Sequence, residues 1–385
     1  MKIVHMCLAS FFPDNYSYQE NMLPKFHEKL GYEVEVIASP QSYDEHGKAC
    51  LVPAPDEYIN ENGIKVTRLP FKGKSSIAKK LRRYSGTCEA LEKAAPDVLF
   101  IHGGQFSDMD RVVKYLKSHR DVRVYVDNHA DFSNSAKNPI SKIIYHGMIW
   151  KRCEKMIEPY AVKFYGVLPA RVDFLKDVYG LPPEKCELLV MGADDDLVAE
   201  AKNRGLREKI RAEYGLKTTD FVIATGGKIN ANRPETLSLM EAVIRLDRPD
   251  VRLLVFGNAS DELKPRFDEL CKSGRIVYAG WIKSSETYGM FEASDLVVFP
   301  GLHSVMWEQA VAQGKPCLFR DIEGFHHVDI GGNAVFLKDV STDGLAKAIS
   351  DVADNPEKLN EMKRAAEEKG MKEFSYLEIA RRCLL

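Results

Sequence analysis

Short β-branched runs alternate with stretches of helical period along most of the chain. IVHMCLA (3–9) leads to a predicted helix over Gln19–Leu30, then EVEVIAS (33–39), DVLFIHG (97–103) and VRVYVDN (122–128). In that helix Met22, Leu23, Phe26 and Leu30 share one face, and Gly31 ends it with a residue that accepts the left-handed conformation. Strand, helix and parallel strand make a βαβ unit. The same order restarts after Asp194: a charged helical stretch leads to FVIATGG (221–227), a predicted helix over Pro234–Leu246, and VRLLVFG (251–257). RIVYAG, DLVVFPG, KPCLFRD and AVFLKD follow as further strands, and the last 45 residues read as helical. The pattern predicts two doubly wound α/β domains. Their expected extents are 1–195 and 196–370, with 371–385 as a closing helix. Ligands of such sheets bind beyond the carboxyl ends of the strands, so the expected site is a cleft between two facing domains.

Composition narrows the class. With 385 residues, 45% hydrophobic and 29% charged, the chain has the make-up of a globular protein. The 54 basic and 56 acidic residues leave a net charge of −2, so no global field draws a nucleic-acid backbone. The eight cysteines form no CxxC pair and read as free thiols of a reducing compartment. No window of eighteen apolar residues occurs, and the first apolar run is a strand rather than a signal peptide. A cytoplasmic protein is expected, with peripheral attachment to the inner membrane face left open.

The densest chemistry lies in the second half. After FVIATGG, the glycines Gly226 and Gly227 are followed by Lys228, Arg233 and a helix start. Backbone amides, a helix N-terminus and two cations can cradle a diphosphate there; the alternative is an ordinary glycine turn with two solvated cations. After DLVVFPG come His303 and Ser304 and a helix bearing Glu308, which stops at Gly314-Lys315-Pro316. Glu308 either accepts hydrogen bonds from a ligand in the cleft or favours the helix dipole.

In order and spacing these segments resemble the retaining family-4 glycosyltransferases of the GT-B fold, which use nucleotide-sugar donors, and the resemblance spans nearly the whole chain. In that family two basic residues five positions apart hold the donor diphosphate, as Lys228 and Arg233 would. A later helix-borne glutamate binds the ribose, as Glu308 would. MGAD (191–194) and FSYLEIARR (374–382) are similar to the family's interdomain turn and closing helix, and the resemblance implies that this helix packs back on the first domain. The chain departs from the family where a first glutamate should stand eight residues before Glu308: Pro300 is there, and the short loop sets His303 and Ser304 where the donor sugar would lie. Trp281 and Ile282, after RIVYAG, are candidates to flank the nucleotide base.

In the first half, Asp127, Asn128 and His129 directly follow a buried strand. The resemblance makes His129 the catalytic candidate, bonded to the donor sugar, with a neighbouring carboxylate fixing its tautomer. His102, Asp127 and Asn128, with Tyr18, Gln19 and Asn21 from the loop after the first strand, are acceptor-side candidates. Glu20, in the same loop, is either a further polar group near the cleft or, the favoured reading, part of a capping box with Ser17, whose spacing it has. His326 and His327 are adjacent and would diverge on any regular element, so no metal site is expected. The segment 71–87 holds Lys72, Lys74, Lys79, Lys80, Arg82 and Arg83 without an acid, which suits anionic lipid headgroups, an acidic acceptor or plain solvation.

The expected function is metal-independent transfer of a sugar from a nucleotide-diphosphate donor, UDP- or GDP-linked, to a glycan or lipid-linked acceptor with retention. The nucleotide sugar is a substrate, and no cofactor is expected. A sugar-nucleotide epimerase of the same architecture and a noncatalytic nucleotide-sugar-binding subunit are the alternatives.

Overall fold

The computed structural model of the chain describes residues 1–44, 48–73, 75–231 and 234–385, with backbone alone at Ala78. Arg233 and Lys74 lie outside the described residues. The chain divides into two compact units: Met1–Val190 with Ile379–Leu385, and Met191–Glu378.

The first unit is built on β1 (Lys2–Cys7), β2 (Glu33–Ala38), a hairpin of β3 (Gln41–Tyr43) and β4 (Ala49–Leu51), β5 (Asp56–Ile59), β6 (Lys65–Arg68), β7 (Val98–His102), β8 (Arg123–Asn128), β9 (Ala161–Gly166) and β10 (Cys186–Leu188). Its main sheet has the order β10-β9-β8-β7-β1-β2-β6-β5, parallel except where β5 pairs with β6. Val4, Met6, Leu99, Ile101, Val124 and Val126 enter one core. Because side chains alternate across a strand, His5, His102 and Asp127 share the opposite face. The register sets His5 opposite Phe100 and His102 opposite Asp127. The helix Gln19–Lys29 agrees with the sequence reading, and Gly31 holds φ +85° just beyond it.

The second unit has β11 (Phe221–Ile229), β12 (Val251–Ala259), β13 (Ile276–Gly280), β14 (Leu296–Phe299), β15 (Cys317–Arg320) and β16 (Ala334–Leu337), in the order β13-β12-β11-β14-β15-β16, all parallel. Ile223, Leu253, Leu296 and Leu318 lie at the centre of its core. Both units are doubly wound α/β folds. In each the strand order reverses at one place, between β1 and β7 in the first unit and between β11 and β14 in the second. Loops diverge there and leave a crevice at the carboxyl ends of the strands.

Candidate functional site

In the second unit both chemistry-bearing segments flank the reversal point. Gly226, Gly227 and Lys228 end β11, and the loop carrying His303 and Ser304 follows β14. The glycines belong to the strand itself rather than to a turn, and the helix begins at Glu235. Gly226 is required by packing, since a Cβ there would lie 2.1 Å from the Phe256 ring on β12. Gly227 has φ +117° and faces the Met306 methyl, which brings the end of β11 against the start of the helix Met306–Ala312. Lys228 is exposed. Trp281 stands 55% exposed just past β13, while Ile282 is half-buried.

Glu308 corrects the sequence reading. It is fully buried, and its Oε1 accepts hydrogen bonds from His303 Nε2 at 2.9 Å and His327 Nε2 at 2.8 Å. Burial pushes its carboxyl up, but the two histidines outweigh that and hold it down to about 2. A carboxylate so enclosed does not present itself to a ribose; it orients two imidazoles. His326 turns instead to Asp321, 2.7 Å away, so the adjacent histidines diverge. The sequence reading weighed His327 only as a metal ligand, because its pairing with Glu308 is made by the loop after β15, which carries His327 to the helix. Ser304 starts the helix, its carbonyl accepting from Trp307 N–H at 3.0 Å.

In the first unit a cavity of about 290 Å³ opens at the reversal point, lined by Ser10, Glu20, Arg82, Gln105, His129 and His146 among others. His129 follows β8 and keeps 30% of its side chain exposed, with Nε2 at ion-pair distance, 3.5 Å, from Asp127 Oδ2. Burial lowers its basicity, yet the charges of Asp127 and Glu20 outweigh this and raise its pKa. Asp127 is buried; its Oδ2 lies 2.7 Å from His102 Nδ1, and its Oδ1 accepts from Gly103 N–H at 3.0 Å. Burial pushes the Asp127 carboxyl up, but the neighbouring His102 and His129 hold it well below the ordinary range.

Other first-half candidates divide. Asn128 is buried and committed: its amide donates to the Ala130 carbonyl, and its oxygen accepts from Gln105 and Ala130 N–H. Asn21 is buried and donates to the Pro13 carbonyl. Gln19 is 1% exposed, and neither polar atom of its amide has a hydrogen-bond partner among the described residues. Tyr18 is partly exposed and stacks obliquely on Tyr16. The expected capping box does not form. Tyr18 is the N-cap, so Glu20 falls at the second helical position, one short of the reciprocal spacing, and lines the cavity instead.

Two cavity groups, Gln105 and His146, and the buried Glu154 beside Gln105 escaped the sequence reading. Glu154 is fully buried, its Oε2 has no hydrogen-bond partner among the described residues, and burial pushes its carboxyl up to about 8. Gln105 Nε2 donates to Glu154 Oε1 at 3.0 Å. His146 bonds Ser135 and Tyr179, and burial lowers its pKa to about 4. A buried acid and a buried imidazole inside helical stretches carry no local signal of a cavity. In the basic segment, Arg82 donates to the Gln105 carbonyl and Arg83 to Asp110, which leaves Lys72, Lys79 and Lys80 exposed.

Among the described residues, two clusters have metal-ligand composition, His102-Asp127-His129 and His303-Glu308-His327. Two ligands of a tetrahedral zinc lie about 3.3 Å apart, given metal–ligand distances near 2.0–2.1 Å. The tight contacts here, at 2.7, 2.8 and 2.9 Å, are those of shared protons.

Residues 186–369 match the family model of the glycosyl transferases group 1. Among curated proteins no sequence relative matches. Solved structures resemble the entire chain. A glycosyltransferase of Rickettsia africae has TM-score 0.70 at 15% identity, covering 100% of this chain and 96% of its own. Anabaena HepE in complex with UDP-glucose has TM-score 0.67 at 14% identity, covering 100% and 98%. A UDP-GlcNAc 2-epimerase of Neisseria meningitidis bound to UDP-GlcNAc has TM-score 0.67 at 12% identity, covering 100% and 99%.

Proposed function

We propose that the chain, whose residues 186–369 match the group 1 glycosyl transferase model, is an enzyme that moves a sugar from a UDP- or GDP-linked donor to a glycan or lipid-linked acceptor. The observation that carries this is that the matched domain sets Lys228 and the His303–Ser304 loop on the two strands flanking its reversal point. In the proposed site, the Lys228 ammonium, with Arg233 five positions later in the sequence, stabilises charge gathering on the departing diphosphate. His303, oriented by Glu308, faces the donor, and Trp281 and Ile282 flank the base. In the first unit, the cavity lined by His129, Glu20 and Gln105 receives the acceptor.

Retention belongs to this proposal. Glu308 is enclosed by histidines and Glu154 is held neutral, so neither of these two is poised as a nucleophile. Leaving-group stabilisation then bears most of the barrier lowering. Lys228→Ala is expected to lower kcat/KM at least tenfold, about 1.4 kcal/mol, with an unchanged melting temperature since Lys228 is exposed. Chromatography of the products with UDP- and GDP-sugars decides the reaction class. An epimerised or free sugar as the sole product would replace glycosyl transfer by the epimerase reading, and donor binding without turnover would leave a noncatalytic subunit.

The acceptor side has a surface suited to a lipid-linked substrate. The helical turns Ser141–Trp150 leave Ile143, Ile144 and Met148 exposed, with Ile140 just before them. Lys80 lies over the Tyr145 ring and Lys142 over the Phe132 ring, which joins this apolar face to the exposed lysines of 71–87. Apolar side chains rimmed by lysines match an anionic bilayer surface, at about 1 kcal/mol per basic residue. Co-sedimentation with phosphatidylglycerol vesicles is expected to exceed that with phosphatidylcholine and to fall in an Ile143→Ser/Ile144→Ser variant. Equal recovery with both vesicles removes the membrane partner. No helix among the described residues is long and apolar enough to cross a membrane.

A further inference from the structure

Three histidines from distant parts of the first unit form one buried file ending on Asp127. His102 Nδ1 lies 2.7 Å from Asp127 Oδ2, and His102 Nε2 lies 2.9 Å from His5 Nδ1. His5 Nε2 lies 2.9 Å from His27 Nδ1, and His27 Nε2 lies 2.9 Å from the Ala380 carbonyl. All three imidazoles are 1% exposed or less.

Proton counting decides the state of this file. A neutral imidazole has one N–H and one bare nitrogen. The Ala380 carbonyl only accepts, so His27 must donate through Nε2 and accept at Nδ1. His5 therefore donates through Nε2 and accepts at Nδ1, and His102 donates through Nε2. With three neutral rings, His102 Nδ1 would be bare and would set a lone pair against the Asp127 carboxylate at 2.7 Å. Four contacts require four protons, and three neutral imidazoles supply three. Two bare acceptors facing each other in a dry interior are costly.

We propose that the file holds one additional resident proton, carried by His102 as an imidazolium paired with the Asp127 carboxylate, and that His5 and His27 are positioning residues that keep it there. Every ring nitrogen then has a complementary partner, and the buried pair is neutral as a whole. Among the described residues, no other group facing the file supplies the missing proton. His5 meets His27, His102 and the Phe100 ring; His27 also meets the Tyr32 ring and the Cys383 thiol, whose pKa burial raises. Asp127 is otherwise faced by His129 and the Gly103 N–H, with the Cys7 thiol and Glu154, both kept protonated by burial, within electrostatic reach. Glu20 and Arg171 act on His129.

The consequence reaches the cavity. Asp127 stands between His102 and His129, so a permanent imidazolium at His102 cancels much of the negative charge that would otherwise strengthen His129 as a base. The meaning of this for catalysis rests on the proposed role of His129; the proton count does not.

Nitrogen-15 NMR of imidazole-labelled protein tests the count without an activity assay. From pH 6 to 7, below the Glu154 titration, the wild type is expected to show one ring protonated at both nitrogens, assigned to His102, and two neutral Nε2–H rings, His5 and His27. Three neutral rings, or an imidazolium assigned to His5 or His27, overturn the proposal. A second arm uses His5→Leu, which removes the acceptor for His102 Nε2–H, and His5→Gln, which keeps a carbonyl oxygen there. In His5→Leu, His102 is expected to become neutral and the His129 titration to move up by about one pH unit, with His5→Gln near the wild type. An unmoved His129 in a folded His5→Leu protein overturns the coupling, and the wild-type spectra decide the proton count even where that variant does not fold.

Discussion

Glu154 and Glu308 are both fully buried, yet their surroundings drive them in opposite directions. Burial raises Glu154 from an ordinary 4.5 to about 8, so the folded chain keeps a proton that the unfolded chain releases. Its contribution is intact below about pH 4.5 and is lost as pH climbs through 8, at up to about 1.4 kcal/mol per pH unit within that window. Glu154→Gln keeps the shape without the charge, so urea unfolding of this variant is expected to lack that decline between pH 5 and 8. Glu308, held at about 2 by its histidines, acts in the opposite sense: its contribution is present above about pH 4.5 and is lost as pH falls toward 2. Glu308→Gln is expected to cost about 1–3 kcal/mol at pH 7, because an amide sets its N–H groups near two imidazole donors. The unfolding curves of that variant and the wild type should converge on acidification. The helix bearing Glu308 was legible in the sequence, but its burial was not, since His327 is supplied from nineteen residues away by another loop.

Among the elements, the alternation of strand and helix was readable because a buried parallel strand is apolar on both faces and each helix carries an apolar stripe. β1, with five of its six residues buried, is such a strand. Less readable was the reason for individual residues inside an element. Gly226 looks like a loop glycine in the sequence, but the pairing of β11 with β12 sets it opposite Phe256. A methyl group there would fall 2.1 Å from the ring, and the ring is itself held edge-on by Phe291. Gly226→Ala is therefore expected to destabilise the second unit by about 1–3 kcal/mol, the usual cost of overpacking. Phe256→Leu makes room, so the double variant should recover part of that loss, and a double-mutant cycle by urea denaturation reads the coupling directly. Additive losses would mean that the glycine serves something other than this contact. The capping box failed for a similar reason of offset: one residue of displacement in the helix start moves Glu20 from a cap to the cavity wall.

On the scale of the whole chain, the last seven residues belong to the same unit as the first 190. Ile379, Ala380 and Cys383 are fully buried there, and Leu384 nearly so. The Tyr125 hydroxyl donates to the Leu384 carbonyl at 2.9 Å and the Tyr165 hydroxyl to the Cys383 carbonyl at 3.2 Å, while the Ala380 carbonyl accepts from His27. The chain end thus satisfies polar groups on the sheet face that carries the histidine file, a function that periodicity in FSYLEIARR does not reveal. Truncation after Glu378 would strip two aliphatic side chains worth about 1.5–3 kcal/mol each. It would also leave three polar groups without their acceptors, at about 1–3 kcal/mol each where water cannot reach them. Against a typical stability of about 5–15 kcal/mol for a domain, that loss is large enough to unfold the first unit. Calorimetry of the truncated chain is expected to show the first unit's transition lowered by about 10 °C or more, or absent. The second unit keeps its own sheet and core, so its transition should persist, and a UDP-sugar or GDP-sugar that binds there should still raise it. Loss of both transitions together would show that the second unit depends on the first for its stability.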